Sequence, residues 1–140
     1  MTVEYLVDTS AYMRLARVPE LRDAWRPWFA AGTLAVCPLT ELEIYFTAKS
    51  VEHRDQLQAA IRKRYRWALM PNAIVDRARE VQELLTERGA HRSASPVDLL
   101  VAATAEANRM TVLHYDRDFV TVARVTGQPV RWITEPGTID

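Results

Sequence analysis

The sequence has little of what several common classes of functional site require. Cys37 is its only cysteine, so an intramolecular disulfide and a cysteine-rich zinc site are both excluded. The four glycines are scattered and form no glycine-rich phosphate-binding loop. There is no run long enough to span a membrane, and the first residues lack the basic start and apolar stretch of a signal peptide. We therefore expect a cytoplasmic protein without a membrane segment.

The charges of the chain balance. Lysine and arginine together number 18, as do aspartate and glutamate, which gives a formal net charge of zero. This excludes a generally basic, histone-like mode of nucleic-acid binding, although a nucleic-acid enzyme remains compatible if basic and acidic groups are segregated in space. Hydrophobic residues make up 49% of the 140 residues, which is enough for a core and argues against disorder. We expect a single domain over 1–140, with a loose polar tail at 134–140.

Short apolar runs alternate with longer amphipathic stretches, a pattern typical of α/β folds with a mainly parallel sheet. Strands are predicted over 3–7, 34–37, 111–114 and 129–133. A first helix is predicted to begin at 8–10, and further helices are predicted over 19–31, 38–48, 51–67, 74–88, 95–108 and 116–125. The expected sheet has about four to five strands, with helices on both faces.

Acidic residues stand where these strands and helices meet. Asp8 directly follows the first strand, Asp116 and Asp118 follow the third, Asp98 lies in the first turn of a helix, and Glu43 lies one turn into the helix after the second strand. The carboxyl ends of parallel strands border one crevice, so these side chains are expected to converge. Each acid alone also fits a helix cap or a turn. The joint pattern is therefore the evidence for a site.

Such a cluster of carboxylates predicts a cation. Close negative charges raise one another's pKa and destabilise the fold unless a positive charge lies among them. Ligands that are all oxygen suit Mg²⁺ or Mn²⁺. An ion of this kind polarises a phosphodiester, orients water and stabilises the leaving oxygen. The cluster therefore predicts phosphodiester hydrolysis.

Four segments resemble, in order, the motifs of PIN-domain nucleases. They are 6–11, 39–44, 95–105 and 112–119. Their order and spacing match over nearly the whole chain, and the compact length resembles the VapC toxins of bacterial toxin–antitoxin pairs. The resemblance implies a three-layer α/β/α PIN fold and a Mg²⁺- or Mn²⁺-dependent endoribonuclease that acts on structured RNA such as transfer or ribosomal RNA. It also implies a homodimer and a VapB-like antitoxin that inserts a segment into or near the acidic cleft.

The resemblance also implies a role for each acid. Asp8, Glu43, Asp98 and Asp116 would be the metal-binding acids of the catalytic site, and Asp118 would support a second metal position or orient water. Chain position independently supports Asp8, Asp98 and Asp116 as metal ligands, whereas Glu43 depends mainly on its motif.

Two alternatives remain open within these motifs. Glu41 competes with Glu43, because residues two apart on a helix point about 200° from one another and only one of them can face the cleft. Periodicity does not decide between them, and the resemblance favours Glu43. Thr9 or Ser10 would donate a hydroxyl hydrogen bond within the site, but capping the following helix explains either residue equally well.

Basic side chains are candidates for contact with RNA phosphates, since arginine suits phosphate recognition. The densest basic run is 62–67, whose aromatic residues could stack on bases, although a solvated helix end explains it equally well. The candidates are Arg14, Arg62, Arg64, Arg66 and Arg117. His114 could serve as a metal ligand or a base, but its apolar strand favours an inward-facing histidine.

Two other classes of protein also fit acids at strand ends. A receiver-like phosphoacceptor domain normally needs a lysine after a late strand, and the only lysines, Lys49 and Lys63, lie on predicted helices. The better alternative is a degenerate nuclease fold that binds RNA or protein without catalysis. That alternative predicts RNA binding that survives chelation of metal and is not followed by cleavage.

Overall fold

The computed structural model of the protein describes residues 2–140. It contains five short strands and eight helices within those residues. In chain order these are β1 (Tyr5–Val7), α1 (Thr9–Arg17), α2 (Pro19–Ala24), α3 (Arg26–Ala30), β2 (Leu34–Val36), α4 (Pro38–Phe46), α5 (Val51–Arg64), β3 (Arg66–Trp67), α6 (Ile74–Glu87), α7 (Pro96–Ala107), β4 (Thr111–His114), α8 (Arg117–Thr126) and β5 (Val130–Trp132). Every helix in the described part of the chain is too short or too polar to cross a membrane.

The five strands form one parallel sheet in the order β3-β2-β1-β4-β5. Tyr5 in the central strand is in register with Leu34 of β2 and with Thr111 of β4. The carboxyl ends of β1 and β4 therefore lie side by side at one edge of the sheet. The order of the strands reverses direction at β1, and open α/β sheets bind ligands at such a point.

Helices cover both faces of the sheet, which confirms the three-layer α/β/α prediction. Successive side chains of a strand point to opposite faces, and β1 shows this directly. Leu6 packs into a core shared with α6, α7 and α8. Tyr5 and Val7 pack into a second core formed with helices α1 to α5. Strands β1 and β2 and most of β4 are buried on both faces, so they read in the sequence as continuous apolar runs.

The predicted helix over 51–67 is wrong at its end. Helix α5 stops at Arg64, and Tyr65 is extended, with φ −114° and ψ 146°. Arg66 and Trp67 then pair with β2 as the edge strand β3. The polar helical pattern continues up to this point, but pairing with β2 and the burial of the Tyr65 ring outweigh local helix propensity.

The predicted helix over 19–31 is two helices, α2 and α3, separated at Trp25. Pro27 explains the break, because proline has no N–H to donate and its ring clashes with the carbonyl group four residues earlier. Trp25 is released from helical geometry at φ −94° and ψ 2°. Its indole N–H donates a 2.9 Å hydrogen bond to the carbonyl oxygen of Ile133, which ties this corner to the chain after β5.

Candidate active site

Asp8 follows β1 directly and is the N-cap residue of α1. Its Oδ2 accepts hydrogen bonds from the backbone N–H of Ser10 at 3.0 Å and from the Ser10 hydroxyl at 2.7 Å. The residue is only 4% exposed. The pKa of Asp8 is raised to about 6, first by burial and then by the nearby charges of Asp98 and Glu43, against the lowering effect of the Ser10 hydrogen bonds. The fold therefore holds this carboxylate in an environment that disfavours its negative charge.

Asp98 enters the site from the first turn of α7. Its Oδ2 accepts from the backbone N–H of Ser95, and the Ser95 hydroxyl accepts from the N–H of Asp98 at 3.1 Å, which completes a capping box. Partial burial raises the pKa of Asp98, and the charges of Asp116 and Glu43 add to this effect. The helix start therefore fixes a carboxylate beside the acids that follow β4.

Asp116 and Asp118 are held together at the start of α8. Asp116 is the N-cap residue, and its Oδ1 accepts a 2.9 Å hydrogen bond from the backbone N–H of Asp118. One carboxylate oxygen from each of Asp98, Asp116 and Asp118 lies within 4.8 Å of the other two. Burial raises the pKa of Asp118, with further contributions from the charges of Asp116 and Asp98. Three carboxylates from two helix starts thus converge on one small volume.

Capping and ligand binding do not exclude each other at these positions. Asp8, Asp98 and Asp116 each bind their helix start through a single oxygen, Oδ2 in the first two and Oδ1 in the third. Among the hydrogen bonds of residues 2–140, the second oxygen of each carboxylate accepts none. The cap fixes the orientation of the side chain, and the other oxygen stays available for a ligand.

Glu43 joins this cluster from α4, whereas Glu41 does not. The Thr9 hydroxyl donates a 2.6 Å hydrogen bond to Oε1 of Glu43. Glu41 lines a separate groove with Arg62 and Trp67, and its charge contributes to the raised pKa of Tyr45, which is due first to burial. The structure therefore places Glu43, and not Glu41, on the side of the acids.

The two hydroxyl residues after Asp8 have different partners. Thr9 binds Glu43, as described above. Ser10 donates to Asp8, and its oxygen also accepts a 2.9 Å hydrogen bond from the backbone N–H of Tyr115. Ser10 thus links the ends of β1 and β4. No local sequence pattern predicts the contact with Tyr115, because 105 residues separate the two positions.

The chemistry of the donor set fits a hard divalent cation. Asp98, Asp116 and Asp118 supply oxygen ligands only, which suits Mg²⁺ or Mn²⁺. Of the ion pairs formed within 2–140, none involves these three acids, Asp8 or Glu43. The raised pKa values of three of the acids reflect buried and mutually repelling charges. A cation among them would relieve that repulsion.

The five predicted basic residues do not gather at one place. Arg117 is exposed between Asp116 and Asp118 at the start of α8. Arg14 is already engaged, since it donates to the carbonyl oxygens of Ser10 at 3.1 Å and Asp140 at 2.9 Å and stacks on the Tyr115 ring.

The run at the end of α5 is not brought to the acids. Arg66 forms an ion pair with Glu4, which precedes β1 and so lies at the amino edge of the sheet. Arg62 lies beside Glu41. Arg64 lines a groove of about 450 Å³ with Arg22, Arg26 and Lys63. Of the five predicted arginines, Arg117 is therefore the one that is exposed and directly adjacent in the chain to two of the clustered acids.

His114 is fully buried at the end of β4, as its apolar strand favoured. Its ring packs between Phe119 and Trp132. Its Nδ1 accepts a 3.2 Å hydrogen bond from the backbone N–H of Asp116. Burial lowers the pKa of His114 to about 4, so the imidazole is neutral near pH 7.

Comparison with known proteins agrees with this architecture. Residues 5–125 match the PIN domain family. The chain is 41% identical to Ribonuclease VapC21 of Mycobacterium tuberculosis, with 99% of each chain covered. It is 39% identical to Ribonuclease VapC51 of the same organism, with both chains covered completely.

A solved structure shares the fold at low sequence identity. The toxin–antitoxin complex VapBC2 from Rickettsia felis, bound to a promoter DNA fragment, contains a chain that superposes with a TM-score of 0.77 at 14% identity, covering 93% of this chain and 98% of that one. Together with the match over residues 5–125 and the full-length relatives, this shows that the chain belongs to the PIN-domain family.

Proposed function

We propose that this protein is a divalent-metal-dependent endoribonuclease and the toxin of a VapBC-type pair. The observation that supports it most is the convergence of Asp98, Asp116 and Asp118 within 4.8 Å at the carboxyl edge of a parallel sheet. Relatives that match the chain over its whole length are named ribonucleases. Fold alone would not identify the activity, whereas this donor set is suited to phosphodiester hydrolysis.

Asp8, Asp98 and Asp116 are the proposed metal ligands. The closeness of Asp118 to the last two supports counting it among them. When bound, a Mg²⁺ or Mn²⁺ ion supplies positive charge to stabilise the phosphate in the transition state and to orient the attacking water.

The remaining residues of the site either hold the acids in place or contact RNA in this proposal. Ser95 and Ser10 hold the carboxylates of Asp98 and Asp8 in fixed orientations. Thr9 holds the carboxylate of Glu43 in place through their hydrogen bond. Arg117, exposed beside the acids, is suited to bind an RNA phosphate next to the scissile bond.

The acid cluster is also suited to an antitoxin. Five carboxylates without a basic partner among residues 2–140 present a strongly negative cleft, and a basic side chain from another protein would pair with it. Chains of this fold occur in VapBC complexes. The proposed partner is therefore a VapB-like protein whose inserted segment carries an arginine or lysine and blocks the metal site.

A homodimer is proposed on the apolar surface beside Glu43. Phe46 is 91% exposed and Leu42 64% exposed on α4, and both line a groove of about 510 Å³ together with Thr9 and Glu43. A second copy of the chain would cover this surface. Light scattering on the purified protein tests it: the native protein should be a dimer, and Phe46→Ser should be a monomer. A monomeric native protein would contradict this part of the proposal.

The activity is tested by incubating the purified protein with a mixture of transfer and ribosomal RNA. The expected result is cleavage with added Mg²⁺ or Mn²⁺, loss of cleavage with excess chelator, and recovery when metal is restored. Cleavage that persists in chelator would contradict the metal-dependent mechanism. RNA binding without cleavage at any metal concentration would favour the non-catalytic alternative.

A further inference from the structure

His114 is a buried polar residue whose place in the core is not explained by packing alone. The side chain has no solvent exposure, and its ring lies 4.8 Å from that of Trp132 and 5.4 Å from that of Phe119, centroid to centroid. Among the described residues, its Nε2 has no hydrogen-bond partner. A buried polar atom without a partner is costly. A phenylalanine would fill the same aromatic pocket without that cost.

The other ring nitrogen has a specific partner. Nδ1 of His114 accepts the 3.2 Å hydrogen bond from the backbone N–H of Asp116. An accepting Nδ1 places the proton of the neutral ring on Nε2, the atom that is left without a partner. The side chain therefore binds the backbone two residues ahead, as the side chains of Asn and Asp do in a turn.

This hydrogen bond is the first of two consecutive ones that shape the acid cluster. His114 binds the N–H of Asp116, and the carboxylate of Asp116 binds the N–H of Asp118 at 2.9 Å. Together they set the turn between β4 and α8, from which two of the three converging carboxylates project. If the first bond is lost, the backbone at Asp116 can rotate and both carboxylates move with it.

We infer that His114 is a positioning residue for the metal site, acting through the backbone of Asp116 and touching neither metal nor RNA. This rests on the proposed function, in that it assumes the acid cluster binds a divalent cation. Replacing a residue that orients a metal ligand without binding the metal itself typically lowers metal affinity by roughly 10- to 100-fold.

Two substitutions separate positioning from packing. His114→Phe keeps an aromatic ring between Phe119 and Trp132 but removes the acceptor. His114→Asn loses the ring but keeps an oxygen that can accept from the N–H two residues ahead. A packing role predicts that the Phe variant behaves like the native protein and that the Asn variant is the impaired one. A positioning role predicts the reverse order for metal binding.

The test is Mn²⁺ titration by calorimetry on the two folded variants and the native protein, with amide hydrogen exchange at Asp116 followed in the metal-free proteins. His114→Phe should bind Mn²⁺ roughly 10- to 100-fold more weakly and exchange the Asp116 amide faster, whereas His114→Asn should remain close to native in both. If the Asn variant does not fold, His114→Thr offers a smaller acceptor and replaces it.

The outcomes separate the inference from the proposed function. Native affinity and native exchange in His114→Phe would overturn the positioning role while leaving the metal site intact. Failure of the native protein itself to bind Mn²⁺ would overturn the proposed function, and the inference with it.

Discussion

The hydroxyl of Thr9 donates a 2.6 Å hydrogen bond to the carboxylate of Glu43, 34 positions later in the chain. The bond joins the first turn of α1, directly after Asp8, to the middle of α4. It orients one glutamate of α4 towards the acids, while Glu41, two residues earlier, lies in a separate groove with Arg62. The two glutamates therefore allow a direct comparison, since Glu43 lies at the site and Glu41 lies outside it.

Glu43→Gln is expected to reduce RNA cleavage strongly, by roughly 100-fold if the carboxylate contributes at the level of a positioned acid or base. Glu41→Gln removes the same charge from the same helix and should retain near-native activity. Cleavage rates measured at saturating Mg²⁺ for the two variants provide the check. Equal losses in both would contradict the placement of Glu43 in the site.

The sequence was sufficient for most of the fold, and the exceptions have physical reasons. The strands at Tyr5–Val7, Leu34–Val36 and Thr111–His114 were predicted because strands buried on both faces give apolar runs. The strand at Val130–Trp132 was predicted as well, although Arg131 within it is exposed. The edge strand at Arg66–Trp67 was missed, because two exposed residues show no such run and depend on pairing with β2.

The candidate site shows the same division between local and long-range signals. Position at a strand end or helix start was enough to predict that Asp98 and Asp116 lie close together, and Asp8 lies near enough for the charge of Asp98 to raise its pKa, although it is not one of the three acids within 4.8 Å. The choice of Glu43 over Glu41 could not be made from helix periodicity, because it depends on a contact with Thr9 in another helix. The closeness of Asp118 to Asp116 could likewise not be read from spacing, since the capping bond between them is a feature of the turn geometry.

Asp8→Asn should stabilise the metal-free protein, and the gain should depend on pH. Burial raises the pKa of the Asp8 carboxyl from 3.8 to about 6, so its ionisation costs the folded state more than the unfolded state. The cost is absent below about pH 4, grows as the pH rises to about 6, and stays constant above that. At pH 7 the gain is at most about 3 kcal/mol, since one pKa unit corresponds to about 1.4 kcal/mol.

Urea unfolding of the native protein and of Asp8→Asn at about pH 4 and pH 7 measures this gain. Asparagine keeps an acceptor for Ser10, so the comparison isolates the charge. Burial lowers the pKa of His114, so this residue makes the folded state more stable as the pH rises. The effect is the same in the native protein and in Asp8→Asn, and it cancels in the difference between them. A difference in unfolding free energy that is the same at both pH values would contradict the account of Asp8.

Added Mn²⁺ should raise the melting temperature of the native protein. A ligand that binds only the folded state stabilises it by about 2.7 kcal/mol at a free concentration 100 times its Kd. Asp116→Asn should lose most of this shift, because it removes one of the three converging carboxylates. Asp76→Asn removes an exposed acid that pairs with Arg79 on α6 and should keep the full shift. The shift is measured from thermal melts with and without Mn²⁺. An equal Mn²⁺-induced shift in the two variants would contradict the proposed metal site.

Arg117→Ala should raise KM for RNA while leaving the metal-induced stabilisation unchanged, because the side chain is exposed beside the acids. If Arg117 binds one phosphate, the slope of log affinity against log salt concentration should fall by about one. Arg66→Ala is the matched control, since Arg66 pairs with Glu4 at the other edge of the sheet. Binding isotherms at several salt concentrations test both, and an unchanged slope in Arg117→Ala would remove Arg117 from the RNA interface.

The most direct test of the metal-centred site is the Mn²⁺ dependence of RNA cleavage, measured in parallel for the native protein and for Asp98→Asn, Asp116→Asn and Asp118→Asn. Each variant loses one of the three carboxylates that lie within 4.8 Å of one another. The native protein should cleave RNA with a saturable dependence on Mn²⁺. Asp98→Asn and Asp116→Asn should show no cleavage at any Mn²⁺ concentration, and Asp118→Asn should require more Mn²⁺ or lose activity. Native cleavage and native Mn²⁺ dependence in the three folded variants would contradict the assignment of this cluster as the catalytic centre.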